Sequence, residues 1–151
     1  MGNVYDRLLI AAAIFVFGIA VIQFMRFATS KKACANLLAL PGWRRGVPLV
    51  VYFTSTNCGV CKSAQTPALN SLQEKFGQAL QVITINVDED METARNWSVM
   101  TLPTTFVFDA KGRLLHHNIG FADATNLNKQ LKEGKLSARK LPGAYVPCEK
   151  N

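Results

Sequence analysis

The sequence is poor in the residues that build metal centres. Its 151 residues hold four cysteines and two histidines, with one CxxC, Cys58 to Cys61, and no His-x-x-x-His. A zinc ion at that CxxC would need two more ligands from Cys34, Cys148, His116 and His117. None stands at a matching spacing, so no metal is expected. There is no internal repeat and no low-complexity tract, which speaks against a repeat array. Acids are scarce, 10 against 17 Lys and Arg, for a formal charge of +7. That excess sits at the two ends. Residues 1–45 carry +5, residues 46–133 carry −1 and residues 134–151 carry +3. A nucleic-acid-binding domain needs positive charge on its folded surface, and the middle block has none to spare, so no nucleic-acid partner is expected. Basic flanks suit anionic lipid instead. At 49% apolar residues, with nine Phe, the chain is not a disordered one.

Charge is missing altogether from Leu8 to Met25, LLIAAAIFVFGIAVIQFM, where Gln23 is the one polar side chain. As a helix this run reaches about 27 Å, close to the bilayer core of about 30 Å. It reads as an uncleaved, single-pass transmembrane anchor within residues 1–45, with the lipid bilayer as partner. A buried core helix is one alternative, but the rest of the chain is too small to surround it. A cleaved signal peptide is the sharper rival. Against it, Asp6 opposes the lone n-region charge of Arg7, and Lys31 and Lys32 follow the small residues Ala28-Thr29-Ser30. Arg26, Lys31, Lys32, Arg44 and Arg45 all follow the apolar run, so the positive-inside rule puts the C-terminal side in the cytoplasm.

Residues 29–40 continue the helical pattern as a juxtamembrane helix, which Pro41-Gly42 ends. Residues 47–54, 80–87 and 104–109 read as apolar strands. Residues 113–119 pair back on the third strand across the turn Asp109 to Gly112. Helices are expected over 59–76, with Ala64, Ala68, Leu69, Leu72 and Phe76 inward, and over 89–99, with Met91, Ala94 and Trp97 or Ser98 inward. A last helix spans 122–133, with Asp123 as its cap. The tail 134–151 has two prolines and no period, and reads as irregular. This order predicts an α/β fold over 46–133: a small mixed sheet with a parallel pair at its centre and helices on both faces.

Cys58 falls where a buried strand ends and a helix begins. Free N–H groups and the helix dipole stabilise a thiolate there, and the thiolate is the attacking species. Cys61, one turn later, can reach back and resolve a mixed disulfide. Gly59 offers the turn conformational freedom. Lys62 adds a nearby positive charge. A disulfide that served only as a staple would constrain little, because its loop is so short.

The strand PLVVYF, the motif Cys58-Gly59-Val60-Cys61-Lys62, the strand end INVDED and the stretch VMTLPTTFVFDAKGR occur in one fixed order. In that pattern residues 46–133 resemble the thioredoxin family. The resemblance implies a thioredoxin fold, a nucleophile at Cys58, a resolving thiol at Cys61, supporting roles for Gly59, Val60 and Lys62, and a cis peptide at Leu102-Pro103. It also implies that the backbone at Thr101 and Leu102, before Pro103, pairs with a bound substrate strand, and that the proline helps to keep metal out. The departures are specific. Asn57 replaces the family's common tryptophan and Val60 its proline. Tyr52 stands where many members bury an aspartate, and Thr84 where they keep its lysine partner. Pro67 falls six residues after Cys61 rather than five.

Strongly oxidising relatives carry histidine directly before the second cysteine. Val60 cannot play that part, so the expected activity is a membrane-tethered protein-disulfide reductase. It needs no organic cofactor, a disulfide-containing protein as substrate and an unidentified dithiol as electron donor. An extracytoplasmic thiol oxidase, a cytochrome-maturation reductase and a non-catalytic binding module are the alternatives. Cys34 and Cys148 flank the domain and read as two unrelated thiols or a second pair. His116 and His117 alternate faces of an edge-like strand, and Trp43 reads as an interfacial anchor or a loop aromatic.

Overall fold

The computed structural model describes residues 4–137, with side chains over 7–24 and 35–134. Four strands form one sheet: β1 (Leu49–Thr54), β2 (Gln81–Asn86), β3 (Thr104–Phe108) and β4 (Leu114–Ile119). Their order is β2-β1-β3-β4. β1 and β2 are parallel, while β1 with β3 and β3 with β4 are antiparallel. The sheet is mixed, as expected, but the parallel partner β2 lies at an edge and β1 and β3 hold the centre. Both central strands are apolar and buried nearly throughout, which is what burial on two faces demands. In the hairpin turn, Gly112 has φ +81°, and an added Cβ would come within 3.0 Å of the Trp43 ring, so conformation and space both call for glycine.

Alternation along β1 sorts the core into two layers. Leu49, Val51 and Phe53 face one side, joined by Leu37, Ala94, Trp97, Phe106 and Phe108. Val50 and Tyr52 face the other, joined by Cys61, Leu69, Leu72, Val107, Ala122, Leu127 and Leu131. The end of α1 (Val4–Ala39) and α3 (Met91–Asn96) cover the first layer. α2 (Thr66–Phe76) and α4 (Ala124–Ser137) cover the second.

α1 is one continuous helix of 36 residues, about 54 Å long at 1.5 Å per residue. Its window Arg7–Phe24 has a mean hydropathy of 2.3 and none of it is buried. That excludes the core-helix alternative and leaves an apolar helix long enough to cross a bilayer. The helix enters the domain at its other end: Leu37 is fully buried and Asn36 Nδ2 donates to Asn96 O at 2.8 Å. Trp43 packs against the same layer, which settles it as an aromatic of the domain's own packing.

Three local expectations need correction. α3 covers only Met91–Asn96, because Ser98 takes φ +56° and ends it; Met91 is exposed on its first turn, and Ala94 and Trp97 are the inward residues. Asp90, which lies inside the expected helix, caps the observed one by accepting from Thr93 N–H at 2.9 Å. α4 runs to Ser137, four residues into the stretch read as irregular. Its expected cap holds, with Asp123 accepting from Asn126 N–H at 2.9 Å. Residues 138–151, Cys148 and the side chain of Cys34 lie outside the described residues.

Candidate active site

The chain leaves β1 at Thr54, turns through Ser55 to Asn57 and becomes helical at Gly59. Asp88, two residues beyond β2, holds that turn. Its carboxylate accepts from Ser55 Oγ at 2.9 and 3.1 Å, from Thr56 N–H at 2.7 Å and from the Thr56 hydroxyl. The Thr56 hydroxyl, then the Thr56 amide and Ser55, hold the Asp88 carboxyl below the ordinary carboxylate range. The turn therefore does not rest on Gly59. That residue is helical, has no left-handed φ and leaves open space where a Cβ would go, so the freedom expected of it is not used.

Cys58 and Cys61 are joined, with Sγ–Sγ 2.09 Å and Cα–Cα 5.2 Å. The two sulfurs differ in setting. Cys58 is partly exposed, whereas Cys61 has no exposed surface at all. The Cys61 N–H points at Cys58 Sγ, 3.2 Å away, a donor that favours the thiolate form once the pair is reduced. Val60 is half exposed beside them, and Lys62 is exposed on the following turn.

Leu102-Pro103 is a cis peptide. Leu102 packs on the layer that holds Cys61, Pro103 is buried, and Thr101 is exposed with its carbonyl accepting from Thr104 Oγ1 at 2.7 Å. Tyr52 is buried beneath the cysteines. Its hydroxyl lies 3.2 Å from Thr54 Oγ1, 3.4 Å from Cys61 O and 3.4 Å from Thr66 Oγ1. Tyr52 and Thr84 face each other in register across β1 and β2. Among the described residues no cluster of side chains could hold a metal ion.

The helix that follows Cys61 is not regular. Cys61–Gln65 forms a π-turn, closed by Thr66 N–H donating to Cys61 O, before α2 proceeds. A π-turn carries one residue more than an α-turn. It absorbs the extra residue that places Pro67 six positions after Cys61.

Residues 44–133 match the family model described as Thioredoxin. The chain belongs to the thioredoxin family. A thioredoxin of Bacillus subtilis (strain 168) is 38% identical over 64 residues, which cover 42% of this chain and 60% of that protein. A thioredoxin of Listeria monocytogenes is 31% identical over 81 residues, 54% of this chain and 77% of the relative. The oxidised form of mitochondrial thioredoxin 3 from Saccharomyces cerevisiae superposes with a TM-score of 0.51 at 30% identity, over 60% of this chain and 80% of that one. The thioredoxin family is one of thiol–disulfide oxidoreductases, and this chain carries its cysteine pair at bonding distance.

Reading the sequence missed three contributors to this thioredoxin site. Asp88 had no role assigned, although a carboxylate just past a strand end is placed to hold a neighbouring turn. Gln65 was not picked out, although the extra residue before Pro67 pointed to its turn. Tyr52 was noted only as a replacement.

Proposed function

We propose that this chain is a membrane-tethered protein-disulfide reductase, with a transmembrane anchor and a juxtamembrane helix over 1–45, a catalytic domain over 46–133 and a basic tail over 134–151. The carrying observation is the unequal exposure of the two cysteines, one reachable and one sealed. In the reduced enzyme the Cys58 thiolate attacks a substrate disulfide. One substrate sulfur leaves as a thiolate and takes a proton, and the other is bonded to Cys58. Cys61 then loses its proton and attacks Cys58 Sγ, releasing the second substrate thiol and leaving the Cys58–Cys61 disulfide. A dithiol donor restores the pair. Gly59, Val60 and Lys62 support the nucleophile, and the backbone of Thr101 and Leu102 before Pro103 receives the substrate strand. The basic residues after the apolar run favour a cytoplasmic domain at the cell membrane.

The test is insulin or peptide disulfide reduction by the full-length chain with a dithiol donor. Cys58→Ser is expected to abolish turnover. Cys61→Ser is expected to accumulate a mixed disulfide with the substrate. A standard potential for the pair above about −170 mV would overturn the reductase direction. Side is read by labelling intact cells with permeant and impermeant maleimides. Labelling of Cys58 by the permeant reagent alone supports the cytoplasmic placement, and labelling by the impermeant one refutes it.

A further inference from the structure

The residue that the π-turn brings inward is a glutamine, and its side chain is spent on a single backbone unit. Gln65 has no exposed surface. Its Oε1 accepts from Ala122 N–H at 2.9 Å and its Nε2 donates to Ala122 O at 3.1 Å. A buried amide satisfied at both ends by one residue is a fixed clamp, because rotation of either partner breaks both bonds at once. Ala122 belongs to the link between β4 and α4. Two residues earlier in that link, Gly120 N–H donates to Pro103 O at 2.8 Å. The turn behind Cys61, the β4–α4 link and the cis-proline loop are thus joined in series. On the other side of the same π-turn, the Tyr52 hydroxyl reaches Cys61 O and Thr66 Oγ1, the two residues that bracket the irregular turn.

We propose that Gln65 is a positioning residue for thiol–disulfide exchange, setting Cys61 against the loop that carries Pro103. It rests on the reading above, in which Cys61 resolves the mixed disulfide and the Pro103 loop receives the substrate. Gln65 touches neither sulfur and transfers no proton. It holds the resolving cysteine and the substrate loop at one separation, so that a substrate sulfur bonded to Cys58 lies in line for displacement. The inserted residue and the polar clamp form one device: the π-turn supplies the room, and Gln65 supplies the tie.

The test uses the full-length chain in mild detergent. Gln65→Met keeps the length and apolar fit of the side chain and makes neither bond. Two single-turnover rates are followed by acid quench and mass spectrometry: attack of Cys58 on a small aromatic disulfide, and decay of the mixed disulfide with a peptide. Gln65→Met is expected to slow the decay about tenfold or more, with attack on the aromatic disulfide staying within about twofold of the parent. Decay within about twofold of the parent, or equal loss of both rates with loss of the folded state, would overturn the proposal. Gln65→Glu is the second variant. Its protonated carboxyl can accept from Ala122 N–H and donate to Ala122 O, whereas the ionised form cannot donate. Its decay rate relative to the parent is expected to recover about tenfold as pH falls from about 8 to about 5. A profile parallel to the parent's, or a variant that does not fold, counts against the clamp. A parent chain that reduces neither disulfide would instead remove the functional reading, and the clamp's role with it.

Discussion

The two faces of the sheet are built from the same strands and hold different kinds of residue. The face under α1 and α3 is aromatic. Phe53, Trp97, Phe106 and Phe108 meet there edge to face or tilted, with ring centroids 4.9 to 5.9 Å apart, a geometry that adds to their burial energy. The face under α2 and α4 is aliphatic but threaded with polar atoms: the Tyr52 hydroxyl, the Gln65 amide and the sulfur of Cys61. Asn118 and Gln130 exchange two hydrogen bonds there, at 2.7 and 3.0 Å, between β4 and α4. One face can therefore be read as the support and the other as the machine. The period-two alternation of β1 separates them by a single residue, Tyr52 against Phe53.

The largest test of that division is Phe53→Ala. Removing a ring from the aromatic layer is expected to cost about 3–5 kcal/mol of stability, measured by urea denaturation. The rate per folded molecule should be unchanged. A fall in that rate would show that the aromatic face also shapes the site. Next in size is Tyr52→Phe, which deletes one oxygen from the other face. Its expected stability cost is about 1 kcal/mol, with slower decay of the mixed disulfide because the π-turn loses its second hold. A stability change with no change in decay would make that face structural as well.

The smallest effect is a pH dependence at the rim of the aromatic face. His117 stacks on Phe106 at 4.2 Å; the residue is exposed overall, but desolvation of the ring face against Phe106 holds the imidazole below its ordinary value. The folded protein then binds this proton less readily than the unfolded chain does. The stabilising contribution of neutral His117 is fully present above the unfolded value of about 6.5 and is lost as pH falls through that value towards the folded one. Urea midpoints on either side of this range should show the loss, and His117→Phe should flatten it.

Most of the strand and helix order was legible because apolar periodicity and turn residues are local signals. The strands, the Asp109–Gly112 turn and the inward Leu69 and Leu72 all fell where the pattern put them. Local signals failed where a distant partner decided the outcome. Met91 had the spacing of an inward residue, yet it sits on the exposed first turn of a short helix. Gly59 had the composition of a turn, yet Asp88, just beyond the next strand, holds that turn. Gln65 drew no reading at all, because nothing near it in sequence announces the backbone of Ala122, 57 positions away.

The amino-acid sequence by itself determined the chemistry and its order along the chain: an apolar helix, a strand, a CxxC at the head of a helix, and a proline opening the third strand. These follow from side-chain type and spacing, which are properties of short segments. The tertiary structure alone decided which cysteine is sealed, where the extra residue before Pro67 goes, and that Leu37 of the apolar helix belongs to the core of the domain. Burial and hydrogen-bond partnership are relations between segments far apart in the chain. They come into being only when the sheet brings those segments together.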